Sequence, residues 1–511
     1  MKKYSLAFGA LILFFCNLIS RVLGFAYKIV LVRIIGSEGI GLTEMVSPVY
    51  SFALVLASFG IPLAMTRLIS SLMGRRDFTN IKRIWDISIR LLIFLGIFFS
   101  LVFYLFSDQI ISIFAIDDCI LLCFKVMIPA IFLVTVCSCY RAYFQAIKQI
   151  AVIGYSQNLE QFCRVSIGIF LAWYWMPYGL ENAVIAVSIA TVIGELVGLI
   201  YIMYRYKAYR PAADTVPTLS DGRIVKYLFT VGMPVTMQRL VMSLVLMLQS
   251  FMIPNLLHNT GLSVGISTAL YGNFSGVAMS LVNLPGIFTA TMAMAILPAV
   301  AESNHRRDVL NSRVNQALQL TVLIGLPVSV IFHLYAFELC DWLFNTPDAG
   351  SILRILAIGS VFIYAHTVLT GIMQGMGSVR FLLYNLIFSG CLLLVLLYCL
   401  VPRYGINGAA ISSVCFFTVN CLLNLKYLYF NSKLRFAGIQ IVIKPVFAII
   451  IALTVKKAVN ILFTAGWLYN QYIAFAFNTV LLTAVYLLVL FSIKGLPDLV
   501  IRYIGFHKFK K

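Results

Sequence analysis

The chain has 511 residues, of which 61% are hydrophobic and 11% charged, with a mean hydropathy of +0.97. Soluble domains run nearer half apolar and a quarter charged, so that class is excluded. Lys and Arg total 38 against 18 Asp and Glu, a formal charge of +20. The basic residues sit between apolar runs, which reads as membrane topology and contact with anionic lipid, not as nucleic-acid binding.

The apolar runs are about twenty residues long, enough for a helix to cross the roughly 30 Å hydrocarbon layer with its backbone groups satisfied internally. Cutting at charge clusters and Gly or Pro breaks predicts fourteen spans. They fall near 6–33, 42–70, 86–106, 119–146, 153–176, 182–204, 225–252, 264–300, 314–336, 352–375, 380–401, 406–430, 436–455 and 470–493. The N-terminus imitates a signal peptide, with Lys2 and Lys3 before the apolar run Leu6 to Ile19. No small-x-small cleavage site follows, and the helix pattern continues through Arg21 and Gly24 towards Ile35, so this is the first span. Gly265, Gly276, Pro285 and Gly286 predict a bend in the eighth span.

With the N-terminus in the cytoplasm, nearly all the Lys and Arg between spans fall inside. These include Arg75, Arg76, Lys82, Arg83, Arg141, Lys148, Arg306, Arg307 and the basic tail. Arg33, Arg403, Lys456 and Lys457 remain outside, the lysine pair being the outlier. The expectation is a multi-pass protein of a bacterial plasma membrane with both termini cytoplasmic.

The chain also repeats. Tyr178-Gly179-Leu180 returns as Tyr404-Gly405-Ile406, Gln145 as Gln374, and Arg75-Arg76-Asp77 as Arg306-Arg307-Asp308, at offsets of about 226–231 residues. Six helices per copy make the repeat parallel. The domains expected are a six-helix lobe over 1–205, a basic cytoplasmic linker over 206–223 and a second six-helix lobe over 224–430. Residues 431–511 add two helices and a basic tail. Transporters of this build hold substrate between the lobes near the midplane and rock them alternately.

A charge at mid-bilayer costs a few kcal/mol and must face protein, water or a partner. Arg21 and Lys28 lie in the first span on one helical face, Arg164 in the fifth, Arg239 in the seventh and Lys444 in the thirteenth. Arg21, Lys28, Arg164 and Arg239 are the candidate substrate-binding residues. They suit an anionic headgroup, because guanidinium forks match phosphate oxygens, and Arg21 and Arg239 are expected to face each other across the cleft. Structural ion pairs or snorkelling would account for the same residues, and Lys444 fits snorkelling better. Glu160 and Arg164 stand at i, i+4, a pairing distance that lets Glu160 neutralise Arg164. Glu195 in the sixth span and Glu44 in the second are candidate coupling sites. No G-x-x-x-x-G-K-[ST] motif is present. The five histidines and eleven cysteines form no ligand or disulfide pattern. No cofactor, metal or catalytic residue is expected.

The stretch SRVLGFAYKIVLVRIIGSEGIGL, Ser20–Leu42, resembles the opening helix of the multidrug/oligosaccharidyl-lipid/polysaccharide exporter superfamily. Its SRVLGFA start looks like that of lipid II flippases. The segments GLTEMVSPVYSFALVLASFGIPLAMTRLIS, NLEQFCRVSI and LPGIFTATMAMAILPAVAES resemble the stage V sporulation protein B family. That resemblance implies two six-helix lobes around a cationic cavity, two extra helices lining a lipid-tail groove, and export of a lipid-linked cell-wall precursor for the spore cortex. Arg21 matches the arginine of the flippase motif. Tyr27-Lys28 stands where lipid II flippases typically carry Arg-Asp, and Ser280 where they carry an arginine before the proline. These departures favour the sporulation branch.

The expected protein is therefore a flippase, not an enzyme, for an undecaprenyl-linked glycan diphosphate of the peptidoglycan type. Anionic lipids would be partners, cell-wall synthases further candidates, and a monomer suits the architecture. Three rivals stand: a multidrug or organic-cation antiporter of the same fold, a non-transporting scaffold for cell-wall synthases, and a flippase for O-antigen or teichoic acid.

Overall fold

The computed structural model describes residues 6–75, 77–114, 117–209, 219–303, 307–432, 434–463 and 471–496. Lys2, Lys3, Arg76, Arg306, the basic tail beyond 496 and residues 210–218 of the expected 206–223 linker lie outside them.

Among the described residues the chain is helical, without strands. In order the helices are α1 (Leu6–Ser58), α2 (Ile61–Gly74), α3 (Phe78–Leu105), α4 (Ser107–Phe114), α5 (Asp118–Ala146) and α6 (Ile150–Trp175). Next come α7 (Leu180–Tyr209), α8 (Asp221–His258), α9 (Val264–Tyr271), α10 (Met279–Asn283), α11 (Gly286–Ser303) and α12 (Arg307–Leu334). The last six are α13 (Ala336–Phe344), α14 (Ala349–Gly375), α15 (Val379–Tyr404), α16 (Ile406–Phe430), α17 (Lys444–Phe463) and α18 (Gln471–Ser492). A π-helical segment, Gly272–Ala278, joins α9 to α10.

Ten of the described helices are long and apolar enough to cross a membrane, or up to twelve if each of two bent pairs is one span. This is a multi-pass membrane protein, although that count is lower than the fourteen spans expected. Two features of the sequence account for the gap. α6 is 26 residues long, but Gln157, Asn158, Glu160, Gln161 and Arg164 make its middle polar. The first expected span and most of the second run together as α1, with no loop between them.

What divides α1 is Gly36, at φ 67° and ψ −179°. A side chain rarely tolerates that conformation, because Cβ meets the neighbouring carbonyl. α1 and α2 then meet at 43°, and the eighth expected span bends by 60° between Asn283 and Gly286. The second bend falls at Leu284-Pro285, where the proline cannot donate to the helical ladder.

The chain packs as two compact units. The first comprises Met1–Ser280, Leu343–Thr346 and Leu386–Ala409; the second comprises Leu281–Trp342, Pro347–Asn385 and Ala410–Lys511. In the first unit α6 packs on α7 and α1, α5 packs on α3, α7, α1 and α2, and α8 packs on α1 and α2. Lipid is as apolar as leucine, so close fit and dispersion, more than water exclusion, hold helices together here. Gly194 and Gly198 of α7 show how: a Cβ on Gly198 would stand 3.2 Å from Cβ of Glu160. Their small-xxx-small spacing lets the α6 backbone come close. In the second unit α12 packs on α14 and α11, and α17 and α18 pack on each other and on α12. Gln319 on α12 donates to the Gly495 carbonyl at 2.8 Å, pinning the end of α18.

Gly36→Ala should lower stability by about 1–3 kcal/mol through the strained backbone. The thermal midpoint of the detergent-purified protein should fall accordingly. Gly74→Ala, at a helical position with open space around it, should leave the midpoint near wild type. An unchanged midpoint for Gly36→Ala would show that α1 does not depend on the bend.

Candidate substrate site and ion clusters

Inside the first unit four charged side chains from three helices converge. Arg141 on α5 meets Glu160 on α6 at 2.6 Å. Glu160 meets Arg164, one turn along the same helix, at 2.7 Å. Arg164 also meets Glu195 on α7 at 2.8 Å. The Glu160 and Glu195 side chains are only 12% and 9% exposed. Two arginines and two glutamates cancel, which lets ions persist where each alone would be prohibitive. The glycines on α7 matter here, because they bring Glu195 within reach of Arg164.

The i, i+4 pair of Glu160 and Arg164 is as the spacing predicts. Arg141 is the member sequence reasoning missed. It was assigned to a cytoplasmic connection, yet it lies within α5 and inside the predicted span 119–146, a position that already argued against a loop. Among the described residues, Tyr27 Oη, Tyr50 Oη, Nε of both arginines and Glu195 Oε2 are buried around the cluster without a hydrogen-bond partner.

A second cluster forms around the bend in α1. Lys28 lies before Gly36 and Glu44 after it, and their side chains meet at 2.9 Å. Ser275 in the π-helical segment donates to Glu44 Oε2 at 2.8 Å. Lys28 Nζ donates to Ser280 Oγ on α10 at 2.8 Å. Ser37, directly after the bend, donates to Asn273 Oδ1 at 2.6 Å. The two places where the chain departs from the flippase pattern, Lys28 and Ser280, therefore touch.

Arg21 and Arg239 differ from the other cations. Both are exposed, and neither guanidinium has a hydrogen-bond or ion-pair partner among the described residues. Arg239 lines a cavity of about 250 Å³ with Ser58, Pro62, Thr135, Ser138 and Thr236 among its neighbours. Among the described residues it is the one charged side chain in that lining, and no carboxylate shares it. The volume lies just under the roughly 300–1,000 Å³ of small-molecule sites, so it suits a headgroup fragment and not a whole glycan. Arg21 is not part of this lining, so the structure does not gather it there with Arg239. Lys28 and Arg164 are held by carboxylates. Lys444 is engaged elsewhere, donating to the Lys494 carbonyl at 2.9 Å beyond the end of α18. Glu44 and Glu195, the coupling candidates, each hold a cation.

Broken membrane helices and neutralised ion clusters on facing helices characterise a polytopic α-helical membrane protein. The fold is that of the MOP superfamily. It matches the inward-facing conformation of a multidrug resistance MATE family transporter with a TM-score of 0.67 and 18% identity, covering 81% of this chain and 95% of the other. The chain belongs to the polysaccharide biosynthesis protein family, whose profile matches residues 6–304. A MatE profile matches residues 234–399. Stage V sporulation protein B of Bacillus subtilis (strain 168) is 27% identical over 81% of this chain and 82% of its own. Lipid II flippase MurJ of the same organism is 22% identical over 79% of each chain.

Glu160 touches both arginines, so it does more than neutralise Arg164. Glu160→Gln should destabilise the protein by about 3–5 kcal/mol, as loss of one partner from a buried pair does. Arg164→Met should cost a similar amount by leaving two carboxylates to one arginine. The double variant, which restores neutrality with Arg141 and Glu195, should recover part of the loss. Thermal midpoints of the three purified variants check this, and strict additivity would mean the cluster is not a coupled unit.

Proposed function

We propose that the protein is an alternating-access flippase that moves an undecaprenyl-linked cell-wall precursor, of the lipid II type, from the inner to the outer leaflet of the plasma membrane. The observation that carries this reading is the unpaired Arg239 in a cavity without a carboxylate. A cationic, partly dehydrated pocket favours a phosphate or diphosphate, which bidentate arginine binds well. Arg21, equally unpaired on α1, is the second phosphate ligand, engaged as the helices rearrange. Lys28 and Arg164 stay neutralised in this conformation and join the anion only if their carboxylates release them. Glu44 and Glu195 are then the groups whose protonation or cation binding would permit that release.

The family and the resemblance to stage V sporulation protein B and to a lipid II flippase support a lipid-linked glycan as substrate. Both lobes of the repeat, 1–205 and 224–430, would rock about the site, with residues 431–511 appended and the termini in the cytoplasm. An ion gradient or the membrane potential would drive export, since 100 mV is worth about 2.3 kcal/mol per elementary charge moved. An organic-cation exporter of the same fold would need a carboxylate in the cavity lining, where Arg239 is the charged group present.

The test is lipid II movement in proteoliposomes, with binding of lipid II, undecaprenyl phosphate and a cationic dye measured in parallel. Arg239→Ala and Arg21→Ala should each reduce transport at least about tenfold, with folding and insertion unchanged. Normal transport by either variant would remove that residue from the site. Preference for the dye would move the protein to the drug-export branch. Binding of none of the three would favour another glycan lipid or a scaffold.

A further inference from the structure

The second unit contains a cavity that the transport reading does not use. It has a volume of about 530 Å³ and is lined by Leu334 at the end of α12 and by Leu453, Lys456, Lys457, Asn460 and Ile461 of α17. The α17 residues stand at i, i+3, i+4, i+7 and i+8, so one helical face carries two ammonium groups and an amide between apolar ends. Among the described residues no carboxylate lines the cavity. Asn460 Oδ1 is buried without a partner.

Aromatic residues surround the same end of the unit. Lys456 Nζ sits 4.7 Å from the ring centroid of Tyr335, and Tyr335 packs edge-on against Phe475 at 4.9 Å. Phe475 in turn meets Trp342 at 5.3 Å, and Trp342 packs on Tyr472 at 4.7 Å. Trp and Tyr gather where hydrocarbon gives way to headgroups. An aromatic cluster of this kind suits the level of the lipid phosphates. The ring of Tyr335 holds Lys456 by its electron-rich face and leaves the other ammonium hydrogens free to donate. Glu338 is the acid within electrostatic reach of Lys456, and it forms no ion pair with it among the described residues.

We propose that this face of α17 is a binding site for the headgroup phosphate of an anionic membrane glycerophospholipid. Lys456 and Lys457 hold the phosphate, Asn460 bonds the glycerol or headgroup hydroxyl, and Leu334, Leu453 and Ile461 receive the start of the acyl chains. Such a site also explains why a lysine pair stands where the loop charges otherwise place few cations. It is separate from the Arg239 cavity and needs no assumption about what the protein transports.

The experiment titrates the detergent-purified full-length protein with dioleoyl phosphatidylglycerol, dioleoyl phosphatidylcholine or inorganic phosphate, counting bound lipid by native mass spectrometry. Wild type should retain one tightly held phosphatidylglycerol in preference to phosphatidylcholine. Lys456→Gln combined with Lys457→Gln should weaken that binding about tenfold or more, as the loss of two headgroup cations requires. Lys456→Arg with Lys457→Arg should keep it, showing that the charge and not the fold is at issue. Undiminished phosphatidylglycerol binding in the glutamine variant overturns the proposal. So does equal retention of phosphatidylcholine by wild type, or displacement of the lipid by inorganic phosphate, which would make this a free-anion site. Lipid II transport by the glutamine variant, measured separately, reports on the central site alone, so failure here leaves the flippase reading standing.

Discussion

Every ion inside this protein has to be reconciled with a solvent that does not solvate ions. A lone charge at mid-bilayer costs several kcal/mol, and the structure meets that cost by gathering charges of both signs. Glu160 is the centre of the arrangement, because it holds Arg141 and Arg164 at once and so ties α5 to α6. Arg164 then carries the connection to α7 through Glu195. Three helices are thereby fixed in register at one level of the bundle. Apolar packing alone does this poorly, since leucine gains little by leaving lipid for leucine. The glycines of α7 are part of the same constraint, because a larger residue would push α6 away.

The bend in α1 obeys the same logic. Gly36 permits the turn, but a flexible point is not a fixed angle. The Lys28–Glu44 pair spans the turn, and the hydroxyls of Ser275 and Ser280 satisfy the pair from the adjoining broken helix. A π-helical segment at Gly272–Ala278 places extra backbone in that helix, a feature that often accompanies functional sites.

The unpaired cations stand apart from these neutralised clusters. Neutralised arginines stabilise; an unpaired arginine beside a cavity is available to a ligand. Arg239 satisfies that description, with hydroxyl-bearing and apolar neighbours and no competing acid. The Lys456–Lys457 face of α17 also borders a cavity, among aromatic residues.

Composition and periodicity alone determined the class. Runs of some twenty apolar residues leave no alternative to membrane helices, and the Gly and Pro positions marked where the eighth span bends. The pairing of Glu160 with Arg164 was also legible, because i, i+4 spacing is local information. Separate spans were less so: Gly36 divides α1 without a polar loop, and α6 is polar in the middle because it supplies half of an ion cluster. What the sequence could not show is which distant partner meets each charge. Arg141 looked like a loop cation until α5, α6 and α7 were assembled, and Glu44 looked like a free carboxylate until the bend in α1 brought Lys28 to it. A charge in a sequence has only a cost; the tertiary structure decides whether a counter-ion meets that cost or whether the charge is left for a ligand.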